Sequence, residues 1–76
     1  MIIKAVHNTP FELTKGEYEF STSGTGQIVL TKLNKGGQAP STITLVAPND
    51  YADIMAGCTI TPNIPGTATL DVIWLK

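Results

Sequence analysis

The sequence predicts an all-β fold, a small antiparallel β-sandwich or barrel of six to seven short strands, and three observations carry that prediction. Eleven Thr, eight Ile and four Val put a β-branched residue at 23 of 76 positions. Branching at Cβ restricts χ1 in a helix but packs well on a pleated sheet. Several segments alternate apolar and polar residues with a period of two, the pattern of a strand buried on one face only. Seven Gly and five Pro stand between those segments as turn formers.

The elements follow in order. Residues 2–7 (IIKAVH) are short, β-branched and apolar, and stop at Asn8-Thr9-Pro10. Phe11-Glu12-Leu13-Thr14 alternates until Lys15-Gly16 interrupts it. Residues 17–21 alternate strictly, with Tyr18 and Phe20 on one face and Glu17 and Glu19 on the other. A turn at 21–26 leads to a strand at 27–33 (QIVLTKL), and 34–40 is the longest loop. In residues 41–47 (STITLVA), Ile43 and Leu45 share one face while Thr42, Thr44 and Val46 share the other. Residues 50–57 admit two readings: a short helix capped by Asp50 and stopped by Gly57, or a strand or irregular crossover. Residues 58–61 form a short strand stopped by Pro62, with a loop at 62–66. The last strand, 67–75 (TATLDVIWL), has the strongest signal. Ala68, Leu70, Val72 and Trp74 lie on one face, and Thr67, Thr69, Asp71, Ile73 and Leu75 on the other. Trp74, Tyr18 and Phe20 read as core anchors. Six or seven short strands with turns every eight to twelve residues or so read as an antiparallel sandwich or small barrel, expected to be jelly-roll-like.

Composition sets bounds on organisation and function. The length allows one domain, residues 1–76. Apolar residues are 42% of the chain, enough for a core, while charged residues are only 14% and the net charge is −1. A disordered tail has the opposite balance, and no apolar run approaches the roughly 18 residues of a membrane-spanning helix. The five lysines (Lys4, Lys15, Lys32, Lys35 and Lys76) are scattered and arginine is absent. Nucleic-acid binding is therefore not expected, since it calls for basic patches and bidentate arginines. Nor is a membrane partner expected. Met1 to Asn8 lacks the basic region, apolar stretch and cleavage site of a signal peptide, which points to synthesis in a reducing cytosol with Cys58 free.

The candidates for chemistry are few. His7 and Cys58 are the only conventional base and nucleophile, and nothing in their spacing supplies an orienting acid or an oxyanion pocket. Glu17 and Glu19 read as a solvated strand face. Asn49, Asp50 and Asp53 lack the ladder of a calcium loop and read as turn chemistry. Gly24-Thr25-Gly26 and Gly36-Gly37 read as turns rather than phosphate loops. No catalytic residue, metal ligand or cofactor is expected.

The terminal strands are more informative. The outer face of 67–75 begins polar and ends apolar at Ile73 and Leu75, and Ile2 and Ile3 pose the same question at the other end. One face of an antiparallel sheet normally stays polar. Either the terminal strands lie centrally in a small sandwich, or Ile2, Ile3, Ile73 and Leu75 form a subunit interface. A domain this small usually needs disulfides, a metal or oligomerisation to be stable. With the first two missing, association gains weight, and a surface of Thr, Ser and Asn suits it.

The stretches Gly24-Thr25-Gly26-Gln27-Ile28-Val29-Leu30-Thr31, Cys58-Thr59-Ile60-Thr61-Pro62-Asn63 and Gly66-Thr67-Ala68-Thr69-Leu70-Asp71-Val72 resemble the small Thr/Gly-rich β-sandwich proteins of tailed bacteriophage virions, of the capsid decoration (cement), head-fibre or tail type. The resemblance covers about two-thirds of the chain. It is one of texture and carries no motif through which a family site could be transferred. It implies a non-enzymatic structural protein, assembled in the host cytoplasm and located in the virion. Its partners would be copies of itself, trimers favoured, and the major capsid protein or another virion protein. The expected function is that of a capsid decoration subunit acting by surface burial. The alternative is a small carbohydrate-binding, receptor-binding or inhibitor module presenting loops 21–26, 34–40 and 62–66.

Overall fold

A computed structural model describes residues 1–46 and 48–76. Eight strands form, all antiparallel: β1 (Ile2–Lys4), β2 (Phe11–Leu13), β3 (Gly16–Ser23), β4 (Val29–Asn34), β5 (Ser41–Thr44), β6 (Asn49–Ile54), β7 (Cys58–Asn63) and β8 (Thr69–Trp74). There is no helix among the described residues. The strands build two four-stranded sheets, sheet 1 in the order β1-β8-β3-β6 and sheet 2 in the order β2-β7-β4-β5. The pairings are nested: β1 with β8, β2 with β7, β3 with β6 and β4 with β5. The chain is thus a long hairpin doubled back at the β4–β5 turn, its two arms crossing from sheet to sheet together.

The expected period of two appears as alternating burial. Tyr18 and Phe20 on β3, Leu70 and Val72 on β8, Ile54 on β6, Leu30 on β4, Cys58 and Ile60 on β7 and Leu13 on β2 point inward and form one core cluster. Ile28 and Leu45 close its β4–β5 end. The core satisfies its polar atoms: the Tyr18 hydroxyl donates to the Thr14 carbonyl at 2.8 Å. Among the described residues no buried side-chain polar atom lacks a partner.

Several expectations need correction. There are eight strands rather than six or seven, because 50–57 contributes one of them: β6 is a strand and not a helix. Only about six residues separate Asp50 from Gly57, too few for a stable helix, whereas β3 offers Gly16 to Ser21 as a ready ladder. The strand expected at 2–7 ends at Lys4. The expected strand at 41–47 ends at Thr44, and Ala47 lies outside the described residues. Pro62 does not stop β7, which runs on to Asn63 with Pro62 buried opposite Leu30. The Pro62 carbonyl accepts from the Asn8 N–H at 2.8 Å, so this residue's backbone faces away from β4. Its missing N–H therefore costs no bond of the β4–β7 ladder.

Trp74 does not anchor the core. It lies at the end of β8, 46% exposed, with its indole over Gly16. Tyr18, its partner in register, is fully buried one strand away.

Two glycines show how tightly one end of the molecule is closed. Gly24 has φ of +81°, and a Cβ there would stand 2.2 Å from the Thr67 carbonyl oxygen. Gly36 has φ of +106° but nothing within 4 Å. Gly36→Ala should cost about 1 kcal/mol, the left-handed backbone penalty alone. Gly24→Ala should cost about 3 kcal/mol or more, because the backbone of another loop must also move. Urea unfolding of the two variants checks the difference.

Candidate interaction surface

The outer face of sheet 1 is where the terminal strands meet. Register places Ile2 opposite Ile73, Ile73 opposite Glu19 and Glu19 opposite Tyr51. These four side chains therefore form one row across the sheet, spanning about 14 Å at the usual strand spacing. Ile2 is 61% exposed and Tyr51 63% exposed. Leu75, tied to β3 by its N–H to the Glu17 carbonyl at 2.8 Å, extends the aliphatic patch beyond Ile73. Met1 lies beside the same strands, its carbonyl accepting from the Trp74 N–H. Ile2, Ile73 and Leu75 thus make an apolar strip on a face that would ordinarily be polar, and Tyr51 stands apart from it across Glu19.

Of the four residues expected at an interface, the structure brings together Ile2, Ile73 and Leu75. Ile3 points the other way, opposite Val72, and packs against the core. Alternation along a strand requires this, since neighbours cannot share a face. Of the two readings of the terminal strands, central placement holds for one strand and not for the other. β8 is central, between β1 and β3, while β1 is an edge. Sequence reasoning did not place Tyr51 on this face, because 50–57 reads equally as helix or strand and its pairing with β3 is not a local property.

Charges frame the strip. Lys4 pairs with Asp71 at 3.7 Å and Lys76 with Glu17 at 3.5 Å. Glu19 accepts from the Asn49 side-chain amide. Asp53 stands directly opposite Glu17, carboxylate against carboxylate. Exposed pairs like these contribute little to stability, but they give the strip a mixed, mainly acidic border.

The structure disperses the candidates for chemistry. Cys58 opens β7, while His7 accepts the Ile64 N–H on its Nδ1 at 2.9 Å just beyond the other end of that strand. Six extended residues separate the two ends, about 20 Å. Asp50 and Asp53 lie on opposite faces of β6, and Asp50 is engaged by the Tyr51 N–H at 2.8 Å and the Val46 N–H at 3.4 Å. No group of three metal-ligating side chains occurs among the described residues.

The loops are also divided. Loops 21–26 and 62–66 interlock at one end, Thr25 bonding to Thr67 and the Gly66 region touching the Thr25 carbonyl. Loop 34–40 follows the far end of β4. They present no common surface. An open groove of about 560 Å³ runs between residues 4–7 and 64–71 along the β1 edge, with Val6, His7, Ile64 and Leu70 in its walls.

Comparison of the chain with protein-family models, curated proteins and solved structures finds no match.

Cys58 is fully buried, and that burial pushes its thiol above the ordinary value near 9, with the Lys32 ammonium pulling the other way. A group raised on folding stabilises the protein fully below its unfolded pKa, and this contribution fades as pH climbs through the folded value. The stability advantage of the wild type over Cys58→Ala should therefore shrink between pH 8 and 10. Urea titrations across that range measure it.

Proposed function

We propose that this protein is a non-enzymatic structural component of a virion, acting by surface burial as a capsid decoration subunit of the tailed-bacteriophage type. The observation that carries the reading is the aliphatic strip of Ile2, Ile73 and Leu75 on the outer face of sheet 1. An exposed apolar row across adjoining strands has no use in a solitary protein and ready use in an assembled one. The nested pairing of eight strands in two sheets supports naming the fold a jelly roll, an architecture that recurs among capsid and lectin domains. A rigid β framework with few charges suits a subunit whose final state is a lattice. Its partners are copies of itself, as a trimer, and the capsid protein beneath. Burying the strip against either removes the apolar surface that the free chain leaves wet.

Light scattering on a sizing column over a concentration series tests the assembly step. The wild type is expected as a closed oligomer. Ile73→Asp places a charge in the middle of the strip and should convert it to a folded monomer with an unchanged β-sheet circular dichroism spectrum. An Ile73→Asp protein that keeps its oligomeric mass would overturn the reading of the strip. So would one that unfolds outright while Leu75→Asp remains folded and assembled.

A further inference from the structure

The two sheets have four edge strands, β1 and β6 in sheet 1 and β2 and β5 in sheet 2. An open edge presents unpaired N–H and C=O groups to any other strand, and natural proteins blunt such edges with charges, proline, short length or side-chain caps. Three of the four carry charges. β1 and β2 are three residues long and carry Lys4 and Glu12. β6 carries Asp50 and Asp53, and the Asp50 carboxylate takes up the Tyr51 N–H on its outer edge.

β5 is also short, at four residues, but has no other such device. Ser41-Thr42-Ile43-Thr44 contains no charge and no proline. The Leu45 N–H donates to the Ile28 carbonyl at 3.1 Å, so Leu45 and, by alternation, Ile43 and Ser41 direct their backbone groups to β4. Thr42 and Thr44 therefore direct theirs outward, and neither has a backbone partner on that side among the described residues. Both residues are exposed.

We infer that the β5 edge pairs with the β5 edge of a second copy of this chain, antiparallel and about a two-fold axis, joining two copies of sheet 2 into one eight-stranded sheet. The register follows from the residues. With the axis at Ile43, Thr42 of each copy faces Thr44 of the other. The two Thr pairs then exchange four backbone hydrogen bonds, all within the strand. An axis at Thr42 would set Thr44 against Pro40, which has no N–H to give. An axis at Thr44 would set Thr42 against Val46, whose N–H is turned onto Asp50. The Ile43 register also keeps like faces together. The outer row Thr61, Thr31 and Thr42 of one copy continues into Thr44 of the next, and opposed threonines are favourable cross-strand pairs. With no charge on the strand, no like-charge repulsion arises at the two-fold. The surface is separate from the strip on sheet 1, and the inference does not depend on that strip. It covers far less than the roughly 1,200 Å² of a standard stable interface, so the pairing is weak and dependent on concentration.

Amide hydrogen exchange resolved by residue in the NMR spectrum, with sedimentation equilibrium alongside, tests this on the full chain. Between dilute and millimolar protein the Thr42 and Thr44 amides should slow at least tenfold, while the exposed amides of loop 34–40 do not change. Thr44→Pro removes only an outward N–H and should fold normally. It should restore fast exchange at Thr42 and lower the weight-average mass at high concentration. Thr42→Lys, which also leaves the inward ladder intact, should act the same way. The inference fails if Thr42 and Thr44 exchange freely at every concentration, or if Thr42 stays protected in folded Thr44→Pro. Because the readout belongs to β5, association through sheet 1 leaves it unchanged, and Ile73→Asp should not alter it.

Discussion

Everything in this fold depends on β8 having two neighbours. Val72 faces Ile3 on one side and Phe20 on the other, so one row of side chains ties the beginning, the first third and the end of the chain together. Without β8 between them, β1 would have no sheet to join and β3 would lose half its ladder. Sheet 1 would then have no inner face to set against sheet 2. Such pairings close very long loops before any local structure can support them, so the loop-closure entropy is met late and all at once. Cooperative formation of the two sheets is the physical consequence.

The same arrangement creates the apolar strip on the outer face of sheet 1. Making β8 central buries Leu70 and Val72, and the alternation of the strand then carries Ile73 to the outside, beside Ile2. An apolar strip results because two runs of apolar residues, one near each end of the chain, are laid next to each other. Neither run is long enough to be conspicuous alone. The edges show a parallel economy: charge protects three of them, and the single Asp50 carboxylate caps an N–H on β6 and another just beyond β5. Association through a face and association along an edge are physically different. The first depends on desolvating side chains, the second on completing a hydrogen-bond ladder.

Local pattern foretells burial at some positions of this chain and not at others, for identifiable reasons. Tyr18, Phe20, Leu70 and Val72 alternate with polar residues, and burial follows that alternation position by position. The failures occur where an outcome depends on another part of the chain. Trp74 continues the inward phase of β8 but sits at the strand's end beside Gly16, half exposed. Pro62 looks like a terminator until its backbone is seen to face away from β4. The segment around Tyr51 has weak local preferences and becomes a strand because β3 provides a partner. Ile2 and Ile3 look alike in sequence, yet adjacent strand residues must part to opposite faces.

By itself the sequence determined the all-β class, the phase of the longer strands, most of the inward residues and the low charge. These follow from Cβ branching, period-two alternation and composition, all of them local properties. The tertiary structure alone decided the strand count, the nested order of the sheets, which terminal residues share an outer face and which edge is left open. Those depend on pairing between residues far apart in the chain, where the same short β-branched segments could satisfy one another in many registers. Only the simultaneous burial of both inner faces selects among them.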